Sequence, residues 1–320
     1  MLILILLISF IISFILFPSM IFRLKKAGIV GKNMNSAIQE EVAEMGGLVM
    51  VAGFGAGIFT VIAVKTFFNI FPSVDLISIL VALSTILIVV LIGIFDDLIS
   101  MPQKIKAFMP VFAALPLIVI KEGSSFMKIP FLGNINFGLF YTLVIIPLEI
   151  TIAANAVNML AGFNGLEVGM GIIAISSLAV IAYFIGKITV LVILLAALGA
   201  LLATLYYNWY PAKVLVGDVG TLSIGAIIAA AVIMGNFEIA GAILLIPYII
   251  DFLIKAKNHF PGKNWWGIYK DGKLYCPDNG PVGLGQLIMK VCGGISERNL
   301  VLVLIGVEAI FGVVAILIYV

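Results

Sequence analysis

The stretch Val74–Lys106, VDLISILVALSTILIVVLIGIFDDLISMPQKIK, decides what kind of protein this is. From Leu76 to Phe95 it holds no charged residue. A helix of about 20 such residues crosses a hydrocarbon core of about 30 Å. The run then ends in Asp96 and Asp97 side by side, with Lys104 and Lys106 close behind. An apolar span that stops at paired carboxylates and lysines predicts a transmembrane helix with chemistry at one end.

The same pattern recurs on both sides of it. Of the 320 residues, 63% are hydrophobic and 11% charged, against about 25% charged in soluble domains. Apolar segments near 2–21, 46–67, 74–94, 107–121, 133–154, 167–184, 188–207, 219–235, 238–255 and 299–319 predict about ten transmembrane helices. The runs are continuously apolar instead of alternating, which argues against a β-barrel. The expected fold class is an all-α, polytopic integral membrane protein. It forms one transmembrane domain over 1–320 with a loop region at about 256–298. That loop is too short for a domain but long enough to cover a site. Met1–Met20 has no basic leading segment and no small-residue cleavage site, so it reads as a retained first helix. Cys276 and Cys292 have no metal-finger spacing and read as reduced and incidental.

Charge orients the bundle. With the N-terminus outside, the inner loops hold 14 of the 18 basic residues, and Lys65, Lys121, Lys128 and Lys187 fall at outer ends. The positive-inside rule therefore predicts a multi-pass cell-membrane protein with both termini extracytoplasmic. A net charge of +2 gives no reason to expect a nucleic-acid partner; the expected surroundings are the lipid bilayer.

Four polar clusters fall on the predicted cytoplasmic face: GKNMNSAIQEEVAEMGG from Gly31, FDDLISMPQKIK from Phe95, NAVNMLAGFNGLE from Asn155 and VLVGDVGTLSIG from Val214. Segments far apart in the chain thus converge on one active-site face. Adjacent carboxylates such as Asp96 and Asp97 raise one another's pKa unless a cation compensates. Hard oxygen ligands such as Asp218 and Asn158 suit Mg²⁺, which takes few protein oxygens and completes its shell with water and phosphate. Gly217 and Gly220 would let a phosphate approach the backbone at a helix start. Taken singly, an Asp pair at a helix end is often a solvated boundary, and Asn155 and Asn158 could be interhelical glue.

Together these motifs resemble the polyprenyl-phosphate N-acetylhexosamine-1-phosphate transferases, from helix one to about Pro261. The family's paired aspartates match Asp96 and Asp97, its following lysine matches Lys106, and its metal-binding Gly-Asp matches Gly217 and Asp218. Its first-loop motif matches Gly31, Lys32 and Glu44, with Gly46 and Gly47 after it. NMLAGFNGLE resembles the eukaryotic form of the asparagine loop, whereas the bacterial form has Asp at the positions of Ala161 and Asn164. A dolichol-type acceptor and an archaeal source are therefore expected. The chain departs from the pattern at Asn33, Ser36 and Ala43, and its C-terminal loop offers His259 and no arginine before Arg298.

The resemblance implies transfer of a sugar-1-phosphate, GlcNAc-1-phosphate being expected, from a UDP-sugar donor to dolichyl or another polyprenyl phosphate, by direct displacement. It implies Mg²⁺, with Mn²⁺ as its substitute, on Asp218 and Asn158, and a catalytic role for Asp96 or Asp97 toward the acceptor phosphate. Lys32, Glu44, Lys106, Asn155, Asn164 and His259 would contact substrates, and a homodimer is compatible with it. The competing readings are a secondary transporter, which would show an inverted repeat, and a CDP-alcohol phosphotransferase, which would gather several aspartates in one compact motif.

Overall fold

In the computed structural model, residues 1–35, 40–129, 133–260 and 265–320 are described. The helices are α1 (Leu2–Lys26), α2 (Gly47–Phe68), α3 (Leu76–Ile99), α4 (Gln103–Phe108), α5 (Pro110–Ala113), α6 (Leu115–Val119) and α7 (Ile146–Leu160), with α7 entered through a π-helical turn at Tyr141–Ile145. There follow α8 (Leu166–Phe184), α9 (Ile188–Asn208), α10 (Gly217–Gly235), α11 (Glu238–Leu244), α12 (Ile246–Lys257), α13 (Leu284–Val291) and α14 (Glu297–Tyr319). Among the described residues, eight helices are long and apolar enough to cross a membrane, or up to nine with the bent pair α11–α12. The chain is thus an all-α polytopic membrane protein. Large apolar side chains such as Ile15, Phe22, Leu91 and Leu317 face outward, as a lipid-solvated surface requires.

Two expected spans depart from single straight helices, and proline explains both. The segment 107–121 divides into α4, α5 and α6, with Pro110 and Pro116 at the starts of α5 and α6. A proline ring removes a helix hydrogen bond and clashes with the preceding turn. The run still travels the length of α3. Lys106 pairs with Asp96 near one end of α3, and Glu122 accepts from the Ser78 hydroxyl near the other. Those α3 positions lie about 27 Å apart at 1.5 Å per residue. The second case is the 54° bend between α11 and α12, just before Pro247. The seam at Lys187 is the expected tight turn, since α8 ends at Phe184 and α9 starts at Ile188.

Outside the helices the described residues form three antiparallel hairpins: β1 (Val30–Lys32) with β2 (Glu41–Ala43), β3 (Phe126–Ile129) with β4 (Gly133–Asn136), and β5 (Ile268–Lys270) with β6 (Lys273–Tyr275). Strands of three or four residues carry too little alternation to be read beside long apolar runs. Both cysteines are free thiols.

At the centre stands α10, packed on α2, α3, α7, α8 and α9 and buried along nearly all its length. Its neighbours come close because glycines meet it. A Cβ on Gly93 of α3 would lie 2.5 Å from Val219 Cα, and one on Gly47 of α2 would lie 2.3 Å from the Gly220 nitrogen. Small residues at such crossings let helix backbones approach, which is the main source of packing energy in lipid. Gly93→Ala should therefore destabilise the detergent-solubilised protein by about 1–3 kcal/mol through overpacking. Gly55→Ala, which meets nothing within 4 Å, should leave the thermal unfolding midpoint unmoved. Equal midpoints for the two variants would show that the α3–α10 crossing is not tightly packed.

Candidate active site

The site begins at the start of α10. Its first N–H groups receive no cap from their own chain segment, and a helix start leaves such groups in need of acceptors. Asp97, in the last turn of α3, supplies them: Oδ1 accepts from the Asp218 N–H at 2.7 Å and Oδ2 from the Val219 N–H at 3.1 Å. A carboxylate there also meets the positive end of the helix dipole. Gly217 makes the approach possible. Its φ is +69°, and a Cβ there would sit 2.6 Å from Asp97 Oδ2.

With α10 held in this way, Asp218 meets two partners. Lys106 Nζ lies 2.6 Å from Asp218 Oδ2 and 2.7 Å from Asp96 Oδ2, joining α10 to α3 through α4. The other oxygen of Asp96 accepts the Met101 N–H at 2.7 Å, so both of its oxygens have partners. Asn158, near the end of α7, donates to Asp218 Oδ1 and, at 2.8 Å, to Thr221 Oγ1. The first loop reaches the same point by backbone bonds. Leu215 N–H donates to Ala43 O at 2.8 Å, and the Gly46 and Gly47 N–H groups donate to Leu215 O and Val216 O at 2.9 Å each. Glu44 is thereby brought near Asp218, and burial together with the Asp218 charge raises its carboxyl above the usual range.

These groups face a cavity of about 1200 Å³. One part of its wall is charged, with Lys32, Glu44, Asp97, Lys106 and Asp218; another is apolar, with Ile152, Ile249, Phe252, Leu253 and Phe260. Of the ten residues expected from sequence, eight line it: Lys32, Glu44, Asp97, Lys106, Asn155, Asn158, Asn164 and Asp218. Asp96 stands behind Lys106. His259 is exposed after the end of α12 and is not part of the wall. Asn155 donates to Ala107 O at 3.0 Å and Thr151 O at 2.8 Å, tying α7 to the kinked run. Ser36, one of the departures from the family pattern, lies outside the described residues.

Four contributors were not singled out from sequence. Thr221 sits one turn beyond Asp218 and receives the Asn158 amide. Lys255 pairs with Asp251 at 2.8 Å and donates to Met159 O, and its signal was the i,i+4 acid–base pair in an apolar helix. Trp265 lies against Gly162, where a Cβ would fall 2.2 Å from the indole. Glu297, in the first turn of α14, accepts the Asn164 N–H at 2.8 Å. Glu297 carried no sequence signal, because a single residue far along the chain has no spacing to read.

Among the described residues, no three His, Cys, Asp or Glu side chains are placed to cage a metal. The donor set still fits Mg²⁺, which needs only one or two carboxylates when phosphates supply further oxygens. Asp218 with the amide of Asn158 is such a set. The cap gives a test independent of chemistry. Asp97→Ala should lower the stability of the solubilised protein by about 1–2 kcal/mol, as cap removal does elsewhere, and Asp97→Asn, which keeps one acceptor, should lose less. Thermal unfolding of both variants measures this. Unchanged stability in Asp97→Ala would show that α10 is held by other contacts.

The chain matches the model of Glycosyl transferase family 4 over residues 79–236. It is 42% identical over 319 residues to a protein of Saccharolobus solfataricus provisionally named a UDP-N-acetylglucosamine–dolichyl-phosphate N-acetylglucosaminephosphotransferase, covering 97% of this chain and 94% of that one. A Sulfolobus acidocaldarius protein of the same provisional name is 36% identical over 313 residues, covering 97% and 93%. The UDP-N-acetylglucosamine–dolichyl-phosphate N-acetylglucosaminephosphotransferase of Dictyostelium discoideum is 26% identical over 268 residues, covering 68% and 63%. With such identity sustained over nearly the whole of both archaeal relatives, the chain belongs to glycosyl transferase family 4.

Proposed function

We propose that this protein transfers GlcNAc-1-phosphate from UDP-GlcNAc to dolichyl phosphate, giving dolichyl diphosphate-GlcNAc and UMP. The observation that carries the reading is the cavity itself, where a charged wall and an apolar wall meet at helix ends. A nucleotide sugar is soluble and anionic, and a dolichyl phosphate has a phosphate on an apolar tail. One cavity accepts both only if it has both walls. The names of the full-length archaeal relatives support the same donor and acceptor.

In the reaction an oxygen of the acceptor phosphate forms a bond to the phosphorus that bears the sugar. The bond from that phosphorus to the UMP oxygen breaks. The second pKa of a phosphate monoester is near 6, so the acceptor is largely dianionic at neutral pH and needs no strong base. Positioning is then the larger task, and the residues are arranged for it. Asp97 fixes the start of α10 and so the place of Asp218. Asp96 fixes Lys106, whose ammonium is set to hold phosphate oxygens. Lys32 adds a second cation on the cavity wall. Asp218 and Asn158 would hold Mg²⁺, which supplies charge neutralisation for the diphosphate and the leaving UMP. Asn155 acts by tying α7 to the kinked run, and Asn164 faces the nucleotide.

The charged wall is assigned to the cytoplasmic face, supported by the basic residues gathered at that end of the bundle. The passage of 103–122 along the whole of α3 supports a tenth, kinked crossing, and with it termini on the outer face.

The test is UMP release by the purified protein with Mg²⁺, dolichyl phosphate and a panel of UDP-sugars. Release that requires the lipid and the metal, is fastest with UDP-GlcNAc and falls by at least about 10²-fold in Asp218→Asn is expected. A folded protein that releases no UMP with any donor would sink the reading.

A further inference from the structure

At the edge of the cavity, three segments far apart in sequence are held by one carboxylate. Glu297 is 4% exposed. Its Oε1 accepts the backbone N–H of Asn164 at 2.8 Å and the side-chain amide of Asn35 at 3.4 Å. The Asn35 amide also donates to Gly162 O at 3.1 Å. Asn35 belongs to the first loop, Gly162 and Asn164 to the loop between α7 and α8, and Glu297 to α14, well beyond the matched family segment.

A buried carboxylate costs free energy unless its partners satisfy it. Here Oε2 has no partner among the described residues, nor do Asn164 Nδ2 and Asn35 Oδ1. The fold alone does not account for this arrangement. An apolar side chain at 297 would pack the same space without a buried charge, whereas this carboxylate spends one oxygen on the backbone of a loop. What the bond achieves is placement. Gly162 and Asn164 are both on the cavity wall, and the Asn164 side-chain nitrogen is left as a buried donor with nothing inside the protein to receive it. Gly162 stands at φ +120° with the indole of Trp265 against it, so the loop is held from its other side as well.

We propose that Glu297, together with Asn35, is a positioning residue for the donor nucleotide: it fixes the Gly162–Asn164 loop, and with it the stretch of cavity wall against which the nucleotide lies. The inference rests on the donor being a nucleotide sugar, as proposed above. It places no demand on the acceptor lipid or on the phosphate chemistry, which involve Lys106 and Asp218 at the other part of the wall. The loop's loss should therefore fall on donor binding alone.

The experiment measures KM for UDP-GlcNAc, KM for dolichyl phosphate, kcat, and inhibition by UMP for the wild type, Glu297→Ala, Glu297→Gln and Asn35→Ala. Glu297→Ala should raise donor KM and weaken UMP inhibition about tenfold or more, as expected for loss of a hydrogen bond to a charged acceptor. Acceptor KM and kcat should stay within about twofold of wild type on the same reasoning. Glu297→Gln keeps an acceptor oxygen in place and should restore donor KM to within about threefold of wild type. If Glu297→Ala does not fold, Asn35→Ala removes the same clamp from the first loop and should shift donor KM and UMP inhibition in the same direction. Unchanged donor KM and UMP inhibition in the folded variants would overturn the proposal, as would equal losses in donor KM, acceptor KM and kcat. Absence of UMP release from the wild type would instead count against the proposed reaction.

Discussion

Everything at the cavity depends on one ammonium group. Lys106 lies within hydrogen-bonding distance of Asp96 and Asp218, and so adds an ion pair to the joint between α3 and α10 that the Asp97 cap makes. Asp97 adds a third carboxylate and Glu44 a fourth nearby. Four acids this close, at the edge of lipid, would repel one another and resist ionisation. The lysine offsets that repulsion for two of them, and the start of α10 offsets it for a third. The cationic groups are therefore already in place beside the carboxylates they compensate.

The membrane explains why the site is built from helix ends. In hydrocarbon, backbone polar groups must be satisfied within the bundle, and charged side chains are tolerated only at the interface or beside a partner. The ends of α3, α7 and α10 satisfy both conditions at once; Gly93 and Gly217 let α3 and α10 touch, and Gly47 and Gly220 bring α2 to the same helix start. The apolar side chains that α7 and α12 give the wall, Ile152, Ile249, Phe252 and Leu253, are also exposed at the surface of the bundle.

Much of this was legible in the sequence because the physics is local. Runs without charge declare spans, and Asp96, Asp97, Asn158 and Asp218 stand out because polar residues beside such runs need a reason. What sequence could not reveal was geometry that depends on partners. The break of 107–121 followed from Pro110 and Pro116, both visible, yet the run's composition alone read as one helix. The division of labour between the paired aspartates is set by which oxygen meets which N–H group, with Asp97 capping α10 and Asp96 orienting Lys106. Asn155, read as a substrate contact, lines the cavity and also ties two segments together. Glu297 is silent in sequence because its partners are 133 and 262 residues away. His259 was singled out as a lone histidine in a polar loop, and the chain carries it on the exposed side of the end of α12.

The central claim is that Asp96 acts through Lys106 and not as a base in its own right. Turnover of Asp96→Asn, Lys106→Met and the double variant tests it directly, because residues that act as one unit have non-additive effects. The account predicts that the double variant is no slower than Lys106→Met alone, within about twofold, since the aspartate has nothing left to position. Losses that multiply, with the double variant slower than Lys106→Met by the full factor seen in Asp96→Asn, would contradict it and give Asp96 a role of its own in the chemistry.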